Sequence, residues 1–320
     1  MEQADYPHVP VLPEETLHYL APKNGGRYLD GTLGLGGHSS RILEAAPGCE
    51  LLGLDRDENA LALAAERLAP FGDRVSLRYS RFSDAADCLD ARGWDFIDGA
   101  LVDIGVSSLQ LDTAERGFSF KLDGPLDMRM DPTGGETGNV LPPASKLVNT
   151  ASSEVLKEII KTYGEEPQAG RIVRAIMDAR AEKPIETTGE LAAIVEAAYP
   201  ARWRATARNH PATRTFQALR IAVNHEFDEL RQFLERIVPR LAPGGRLVVI
   251  SFHSLEDRIV KHFFREEAQG CRCPRHIPMC ICNHVAALEI LTRKPVTATE
   301  EELRANVRAS SAKLRAAVKL

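Results

Sequence analysis

Short apolar runs alternate with amphipathic stretches in the first third and the last third of the chain. One such stretch, Glu58–Leu68, places Leu61, Ala65 and Leu68 on one helical face. The apolar runs are predicted to be strands, and they cover Arg27–Asp30, Glu50–Asp55, Arg74–Tyr79, Phe96–Ile104 and Arg246–Ser251, with a closing pair at Glu289–Leu291 and Ala312–Leu320. Strands that alternate with helices predict an α/β fold with a mainly parallel sheet.

The alternation stops between the fourth and fifth predicted strands. Residues 105–149 are rich in Gly, Pro, Asp and Ser, and three helical patterns follow, over 153–161, over 168–180 and after a capping box at Thr187. We therefore expect residues 1–106 and 207–320 to form one α/β domain, and residues 107–206 to form an inserted helical domain. Apolar spacing predicts a single long helix over Thr213–Val238.

A glycine-rich turn follows the first predicted strand. After Asp30, four glycines occur within seven residues, and a helical pattern opens at Ser39. Such a turn admits a ligand close to the backbone, and the helix N-terminus favours an anionic group. The second predicted strand ends at Asp55, where doubly wound folds place an acid for ribose hydroxyls. The sequence therefore predicts a nucleotide-like ligand at this turn, with a ligand-free turn as the alternative.

The order of the glycines separates two kinds of ligand. Dinucleotide-binding proteins use G-x-G-x-x-G, whereas this turn reads D-G-T-x-G-x-G-G from Asp30. It is nearer to the D-x-G-x-G-x-G turn of methyltransferases that use S-adenosylmethionine (SAM), with Thr32 in place of the first glycine. An NAD-dependent oxidoreductase and a non-catalytic RNA-binding module remain as alternatives.

Two more side chains follow strand ends, where parallel sheets bind ligands. Phe82 follows the third predicted strand and is a candidate to lie against an adenine, although an ordinary core position is the alternative. Asp103 ends the fourth, where amino-group methyltransferases grip the target amine, although a loop cap is the alternative. The Asp/Asn-Pro-Pro-aromatic motif common at this position is absent.

Net charge does not favour nucleic-acid binding by the whole chain. The 320 residues carry a formal charge of −5 with a pI near 6.0, so an RNA contact requires a local basic patch. Residues 201–220 are the candidate patch, because they include five arginines and no acidic residue. The alternative is a solvated basic face. Four of the arginines are predicted to contact RNA, namely Arg202, Arg204, Arg208 and Arg214.

The long middle loop carries aromatic and basic residues of its own. Phe118 and Phe120 are candidates to stack on a base and Arg129 to contact phosphate, although the two rings would serve equally to pin the loop to the core.

Four of the six cysteines form two C-x-C pairs, Cys271 with Cys273 and Cys280 with Cys282. Four thiolates would complete a tetrahedral zinc site, and reduced cysteines in a surface loop are the alternative. No apolar run approaches the roughly 18 residues of a membrane span. The polar, acidic N-terminus does not resemble a secretory signal. We therefore expect a cytoplasmic protein that binds neither a membrane nor DNA.

Several long strings in the chain resemble one family. They include His8-Val-Pro-Val-Leu12, Asp30-Gly-Thr with Gly36-Gly-His38, Leu101-Val-Asp-Ile-Gly-Val-Ser-Ser108, Glu115-Arg-Gly-Phe-Ser-Phe120, Gly124-Pro-Leu-Asp-Met-Arg-Met-Asp131, His210-Pro-Ala-Thr-Arg-Thr-Phe-Gln217 and Ser251-Phe-His-Ser-Leu-Glu-Asp-Arg258. Together they resemble the bacterial small-subunit ribosomal RNA cytosine-N4-methyltransferases, the RsmH or MraW family, from residue 8 to about residue 260.

The resemblance implies a Rossmann-like SAM-dependent methyltransferase with an inserted helical domain that recognises the substrate. The implied substrate is the N4 amine of a cytidine in the decoding region of 16S rRNA, within the small ribosomal subunit. The implied cofactor contacts are Gly36, Gly37, His38, Asp55, Phe82, Asp103 and Gln110. Asp103 is also the candidate catalytic residue. The role of His38 depends on the resemblance alone, and its alternative is to cap the first helix after the turn.

Overall fold

The chain divides into two compact units. The computed structural model describes residues 10–134, 140–206, 209–271, 273, 279, 281–282 and 284–320. One unit comprises the chain up to Gly105 and from Phe227 onward, and we call it the sheet unit; the other, Val106–Glu226, we call the helical unit. No helix among the described residues is both long and apolar enough to cross a membrane.

The described part of the sheet unit contains a seven-stranded sheet. The strands are β1 Arg27–Asp30, β2 Glu50–Asp55, β3 Val75–Tyr79, β4 Ile97–Asp103, β5 Leu241–Ser251, β6 Leu288–Ile290 and β7 Lys313–Lys319. Their order is β3-β2-β1-β4-β5-β7-β6. The pairs among β1 to β5 are parallel, whereas β7 is antiparallel to both β5 and β6. The predicted parallel sheet with a closing antiparallel strand is confirmed.

The described α-helices are α1 Pro13–Leu20, α2 Gly37–Ala45, α3 Glu58–Leu68, α4 Ala85–Arg92, α5 Ser108–Asp112, α6 Ala144–Thr150, α7 Ser153–Gly164, α8 Ala169–Glu182, α9 Thr188–Ala198, α10 Ala201–Thr206, α11 Thr213–Asn224, α12 Glu226–Ile237, α13 Ser254–Glu267 and α14 Glu300–Ala305.

The sheet is buried on both faces, which explains why its central strands are continuous apolar runs. Alternate residues of β2 point to opposite sides. Leu52 and Leu54 belong to the apolar cluster that includes residues of α4, α12 and α13, whereas Leu51 belongs to the cluster that includes residues of α1, α2 and α3. A side chain as large as Leu contributes about 1.5–3 kcal/mol when fully buried. Two apolar layers therefore hold the strand ends in register.

The helical unit has a core of its own. Helices α6 to α9 and α11 contribute buried aliphatic side chains, and the loop before them contributes Phe118, Leu126, Met128 and Met130. The predicted capping box is confirmed, because Thr187 and Glu190 bond reciprocally at the start of α9.

The predicted long helix over Thr213–Val238 is wrong. His225 adopts a left-handed conformation with φ of 51°, and its N–H closes α11 on the Ile221 carbonyl. A second helix, α12, begins at Glu226. The two compact units divide at this break, whereas the sequence pattern predicts the boundary at residue 206. Apolar spacing continues through His225, so the sequence does not show the break.

Candidate active site

The glycine turn joins the carboxyl ends of β1 and β4. Asp30 is buried, and its carboxylate accepts hydrogen bonds from the Ser39 hydroxyl (2.6 Å) and the Thr32 N–H (3.2 Å). The Thr32 hydroxyl oxygen accepts a hydrogen bond of 2.6 Å from the Asp103 N–H. The threonine that replaces a glycine in the turn therefore fixes the position of Asp103.

The turn is also bonded to the end of β2. Gly34 and Gly36 have φ of +51° and +74°, which L side chains rarely adopt. A Cβ added to Gly34 would meet nothing within 4 Å, so the backbone there borders open space. Asp55 accepts hydrogen bonds from the N–H groups of Gly34 (2.8 Å) and Asp57 (2.9 Å). The ends of three adjacent strands are thus held together around an accessible backbone.

His38 and Asp103 face each other across this site. His38 lies in the first turn of α2 and is 8% exposed, and its Nε2 is 3.8 Å from Oδ2 of Asp103. Capping, the alternative for His38, is wrong, because the N-cap residue of α2 is Gly36, which has no side chain, and His38 lies inside the helix. The buried Oδ1 of Asp103 forms no hydrogen bond with a described residue, so Asp103 does not act as a loop cap through that atom.

Burial raises the pKa values of Asp103, Asp30 and Asp55. Desolvation, followed by the charges of Asp30 and Glu256, raises the pKa of Asp103 to about 8. Desolvation also raises the pKa of Asp30 to about 6, against the hydrogen bonds from Ser39 and Thr32. It raises the pKa of Asp55 above its ordinary value as well. Clustered, desolvated carboxyls favour a cation beside them, because a positive charge relieves their repulsion.

Sequence reasoning missed a further acid near this site. Glu256 is fully buried, and its carboxylate accepts hydrogen bonds from the N–H groups of Phe252 (2.9 Å) and His253 (3.3 Å). Its Oε1 is 3.0 Å from His253 Nε2. The pair forms a capping box at the start of α13, and the spacing of three residues between His253 and Glu256 was the available signal.

Two predicted cofactor residues lie in different surroundings. The Phe82 ring is 6% exposed and packs edge-on against Phe233, with centroids 5.5 Å apart, which supports its core alternative. Gln110 belongs to the helical unit, where its Oε1 accepts the Ser107 N–H (3.1 Å) in the capping box of α5.

The predicted RNA-stacking residues are largely core residues. Phe118 is 7% exposed and belongs to the helical core, which supports the alternative that its ring pins the loop to the core. Phe120 is half-buried, with its ring centroid 4.5 Å from that of His210 and 4.9 Å from that of Phe216. Arg129 forms a bidentate ion pair with Asp127 through Nε and Nη2. The guanidinium that was predicted to contact phosphate is therefore engaged within the loop.

The predicted basic patch is exposed where it is described. Arg202 and Arg204 are exposed on α10. Arg214 is exposed on α11, where it donates to the Glu165 carbonyl at 3.0 Å. Arg208 lies outside the described residues.

Three of the four paired cysteines converge. The Sγ atoms of Cys271, Cys273 and Cys282 all lie within 4.8 Å of one another. Cys280 lies outside the described residues.

The sheet order, its antiparallel β7, and the glycine turn with acids at the adjacent strand ends define a Rossmann-like SAM-dependent methyltransferase, whose methyl donor is SAM. The sequence model of the MraW methylase family matches residues 5–320, and the chain belongs to that family, so the alternative of an NAD-dependent oxidoreductase is wrong.

Curated relatives agree with the family over almost the full chain. The chain is 65% identical to ribosomal RNA small subunit methyltransferase H of Oleidesulfovibrio alaskensis, over 98% of this chain and 95% of the relative. It is also 65% identical to the protein of that name from Nitratidesulfovibrio vulgaris, with the same coverage. A third, from Pelobacter propionicus, is 56% identical over 99% of this chain and 100% of its own length.

Proposed function

We propose that this protein transfers the methyl group of SAM to the N4 amine of a cytidine in the decoding region of 16S rRNA, in the cytoplasm. The observation that carries this proposal is 65% identity, over 98% of the chain, to relatives named ribosomal RNA small subunit methyltransferase H. The choice of an amine as the acceptor rests on Asp103, whose carboxyl stands at the end of β4 with Oδ1 unused by described residues.

The residues at the strand ends fit SAM. The first-turn N–H groups of α2, beginning at Gly37, suit the carboxylate of the methionyl part. Asp55 lies at the end of β2, where an acid receives ribose hydroxyls. Asp103 and His38 lie next to where a cationic group would reduce the repulsion among the acids. Because the Phe82 ring is in the core, any contact it makes with the adenine comes from its main chain.

SAM supplies a methyl carbon that is already activated by its positively charged sulfur. Asp103 then has two tasks. Its ionised carboxylate stabilises the nearby cation, and its Oδ1 accepts a hydrogen bond from the cytosine NH₂, which orients the nitrogen lone pair. Alignment within about 3–3.5 Å of the reacting carbon provides most of the rate gain available to such a site. The amine proton can leave after transfer, so no strong base is required.

The helical unit is proposed to bind RNA. Its exposed arginines on α10, Arg202 and Arg204, suit phosphate oxygens, and the acidic net charge of the chain makes this local patch the favourable contact. A base that reacts at an exocyclic group must leave its stack to enter the site, and single-stranded or looped RNA lowers that cost.

The test is methylation of small subunits from a strain that lacks the gene, using SAM with a deuterated methyl group. Digestion to nucleosides and mass spectrometry then identify the labelled nucleoside. We expect N4-methylcytidine in one oligonucleotide of 16S rRNA. Labelled 5-methylcytidine, or label on a ribose or another base, would contradict the proposal. Free 16S rRNA as a parallel substrate shows which form the enzyme accepts.

A further inference from the structure

The cysteine cluster lies in the segment that joins α13 to β6. Among the described residues from 268 to 287, no helix or strand is present. The base of the segment is closed by a hydrogen bond of 2.8 Å from the Ala287 N–H to the Glu267 carbonyl. His284 Nε2 lies 3.2 Å from the neighbouring Glu266 carbonyl. The segment therefore leaves and re-enters the sheet unit at one point.

The large apolar side chains described in the middle of this segment are exposed. Met279 and Ile281 are 76% and 71% exposed. Cys271 and Cys282 are exposed, and Cys273 is half-buried. Exposed apolar side chains contribute little to folding, and small units with little buried apolar surface are often held by a metal ion.

The sulfur positions match one edge of a tetrahedral metal site. Zinc–thiolate bonds of about 2.3 Å at tetrahedral angles place two sulfurs about 3.8 Å apart. The Sγ atoms of Cys271 and Cys282 are 3.9 Å apart. Cys273 Sγ lies within 4.8 Å of both, so the three sulfurs can face one ion with little rearrangement.

The backbone also favours charged sulfurs. The Cys273 N–H points at Cys271 Sγ with a distance of 3.4 Å, and the Ile281 N–H points at Cys273 Sγ with the same distance. Hydrogen bonds of this kind orient metal-bound thiolates and offset part of their negative charge. Thiolate ligands in tetrahedral geometry bind zinc or iron–sulfur groups, and the sulfur spacing found here fits a single zinc ion.

We propose that Cys271, Cys273 and Cys282 are three ligands of a structural zinc ion that folds the segment between α13 and β6. The ion is proposed to have no part in methyl transfer, because its ligands follow the C-terminal end of α13, whereas the candidate SAM site lies at the carboxyl ends of the strands, where α13 begins. This proposal is independent of the proposed function.

The test is the zinc content of the full-length protein, purified after zinc-supplemented growth with any histidine tag removed. Mass spectrometry of the metal should give about one zinc per chain in the wild type. Each of Cys271→Ser, Cys273→Ser and Cys282→Ser should reduce that content at least tenfold. The matched control is Cys88→Ser: Cys88 is buried on α4 and its Sγ is 3.3 Å from the Ser80 hydroxyl oxygen, so a serine keeps that partner. It should retain the zinc.

Two further measurements keep the result clear if a variant folds poorly. Calorimetric titration with SAM shows whether the sheet unit of each variant remains folded. Cobalt(II) added to metal-stripped wild type should give the strong visible bands of tetrahedral thiolate coordination. A wild type without zinc and without that spectrum, zinc retained in the three variants, or a disulfide between these cysteines in freshly purified protein would overturn the proposal.

Discussion

Three carboxyl side chains lie at the ends of β1, β2 and β4, and their ionisation is unfavourable in the protein without a ligand. Asp30, Asp55 and Asp103 all have a raised pKa, with desolvation as the largest cause. A fold that retains such a cluster gains from it only when a partner supplies positive charge. We propose that the cationic methyl donor of this enzyme class is that partner, so that the repulsion among the three acids is relieved when it binds.

We predict that SAM affinity rises with pH because of Asp103. Its pKa is about 8 without ligand, and a bound cation lowers it, so binding releases a proton when the solution is below that pH. The affinity should rise by up to about tenfold per pH unit and level off above about pH 8. Calorimetric titrations between pH 6 and 9, in two buffers of different ionisation enthalpy, measure both the slope and the proton release.

The control for this prediction is Asp103→Asn, which removes the upper titration and leaves Asp30, with a pKa of about 6, in place. The variant should bind SAM more weakly, show no slope between pH 7 and 8, and turn over about a hundredfold more slowly, because the cytosine amine is no longer aligned by the carboxylate.

Asp103→Asn should not lower the free energy of unfolding. In the wild type, the raised pKa of Asp103 lowers the stability of the folded state as pH increases from about 4 to about 8. Urea unfolding should therefore show that the stability of the variant relative to the wild type is higher at pH 8 than at pH 5. Full activity in the variant would remove Asp103 from the mechanism.

Thr32 should matter through its hydroxyl alone. Thr32→Val leaves the Asp103 N–H without its 2.6 Å partner, which should destabilise the fold by about 1–3 kcal/mol. It should also lower SAM affinity, since the β4 end is no longer fixed. Thr32→Ser keeps the hydroxyl and should stay near the wild type in both urea unfolding and SAM titration. A loss in Thr32→Ser with Thr32→Val unchanged would show that the methyl group, not the hydrogen bond, is what counts.

At the scale of elements, the loop from Gly124 to Asp131 has a structural explanation. Met128 and Met130 are buried in the helical core. The Asn224 side chain bonds to the Met130 N–H and the Met128 carbonyl, both at 2.8 Å. Arg116 donates to the carbonyls of Arg129 and Met130. These contacts fix the backbone of the loop, and they explain its unusual composition. The sequence instead predicts that Arg129 in this loop contacts RNA phosphate.

Gly124→Ala should destabilise the helical unit. An added Cβ would lie 2.1 Å from the Ala114 carbonyl oxygen, a backbone atom that cannot move aside cheaply. We expect a loss of at least about 1–3 kcal/mol, as for other overpacked sites, and faster hydrogen exchange in the helical core. Gly170→Ala is the matched control, because its nearest neighbour is a lysine side-chain atom at 4.0 Å and it lies in α8. There alanine should be neutral or stabilising. A stable Gly124→Ala protein would show that the loop backbone is free to shift.

The basic patch gives a prediction at the same scale. Reversing Arg202 and Arg204 to Glu should weaken RNA binding and flatten its salt dependence, because fewer counterions are released. SAM affinity should not change. The charge-matched control reverses Arg171 and Arg174, which are exposed on α8, and should affect RNA binding less. Filter binding of 16S rRNA at several salt concentrations measures both. Equal effects of the two pairs would reject α10 as a specific contact.

The sequence predicted the strands better than the helix ends and caps. Glu50–Asp55 and Arg27–Asp30 came out with correct bounds because doubly buried strands are continuous apolar runs between polar ends. The break at His225 left no trace, since a single left-handed residue does not disturb apolar spacing. The buried Glu256 was missed because histidine is an unusual N-cap. Pairing of Thr32 with Asp103 joins residues 71 positions apart, which no local pattern encodes.

At the scale of the whole molecule, the two proposed sites belong to units with separate cores. The residues proposed to bind the cofactor at the strand ends belong to the sheet unit, whereas the exposed arginines of α10, which are proposed to bind RNA, and the predicted cofactor residue Gln110 belong to the helical unit. Each unit has its own buried cluster. Substitutions at the glycine turn should therefore change SAM affinity without loosening the helical core, and the reverse should hold for Gly124.

The central claim is that the glycine turn and the strand-end acids bind SAM. Its most direct test is calorimetric titration of the wild type and Asp55→Asn with SAM and, separately, with NADH. We predict that the wild type binds one SAM per chain and gives no heat with NADH. Asp55→Asn should bind SAM at least about tenfold more weakly, as expected when a charged hydrogen-bond acceptor is lost. Binding of NADH, or unchanged SAM affinity in Asp55→Asn, would contradict the account.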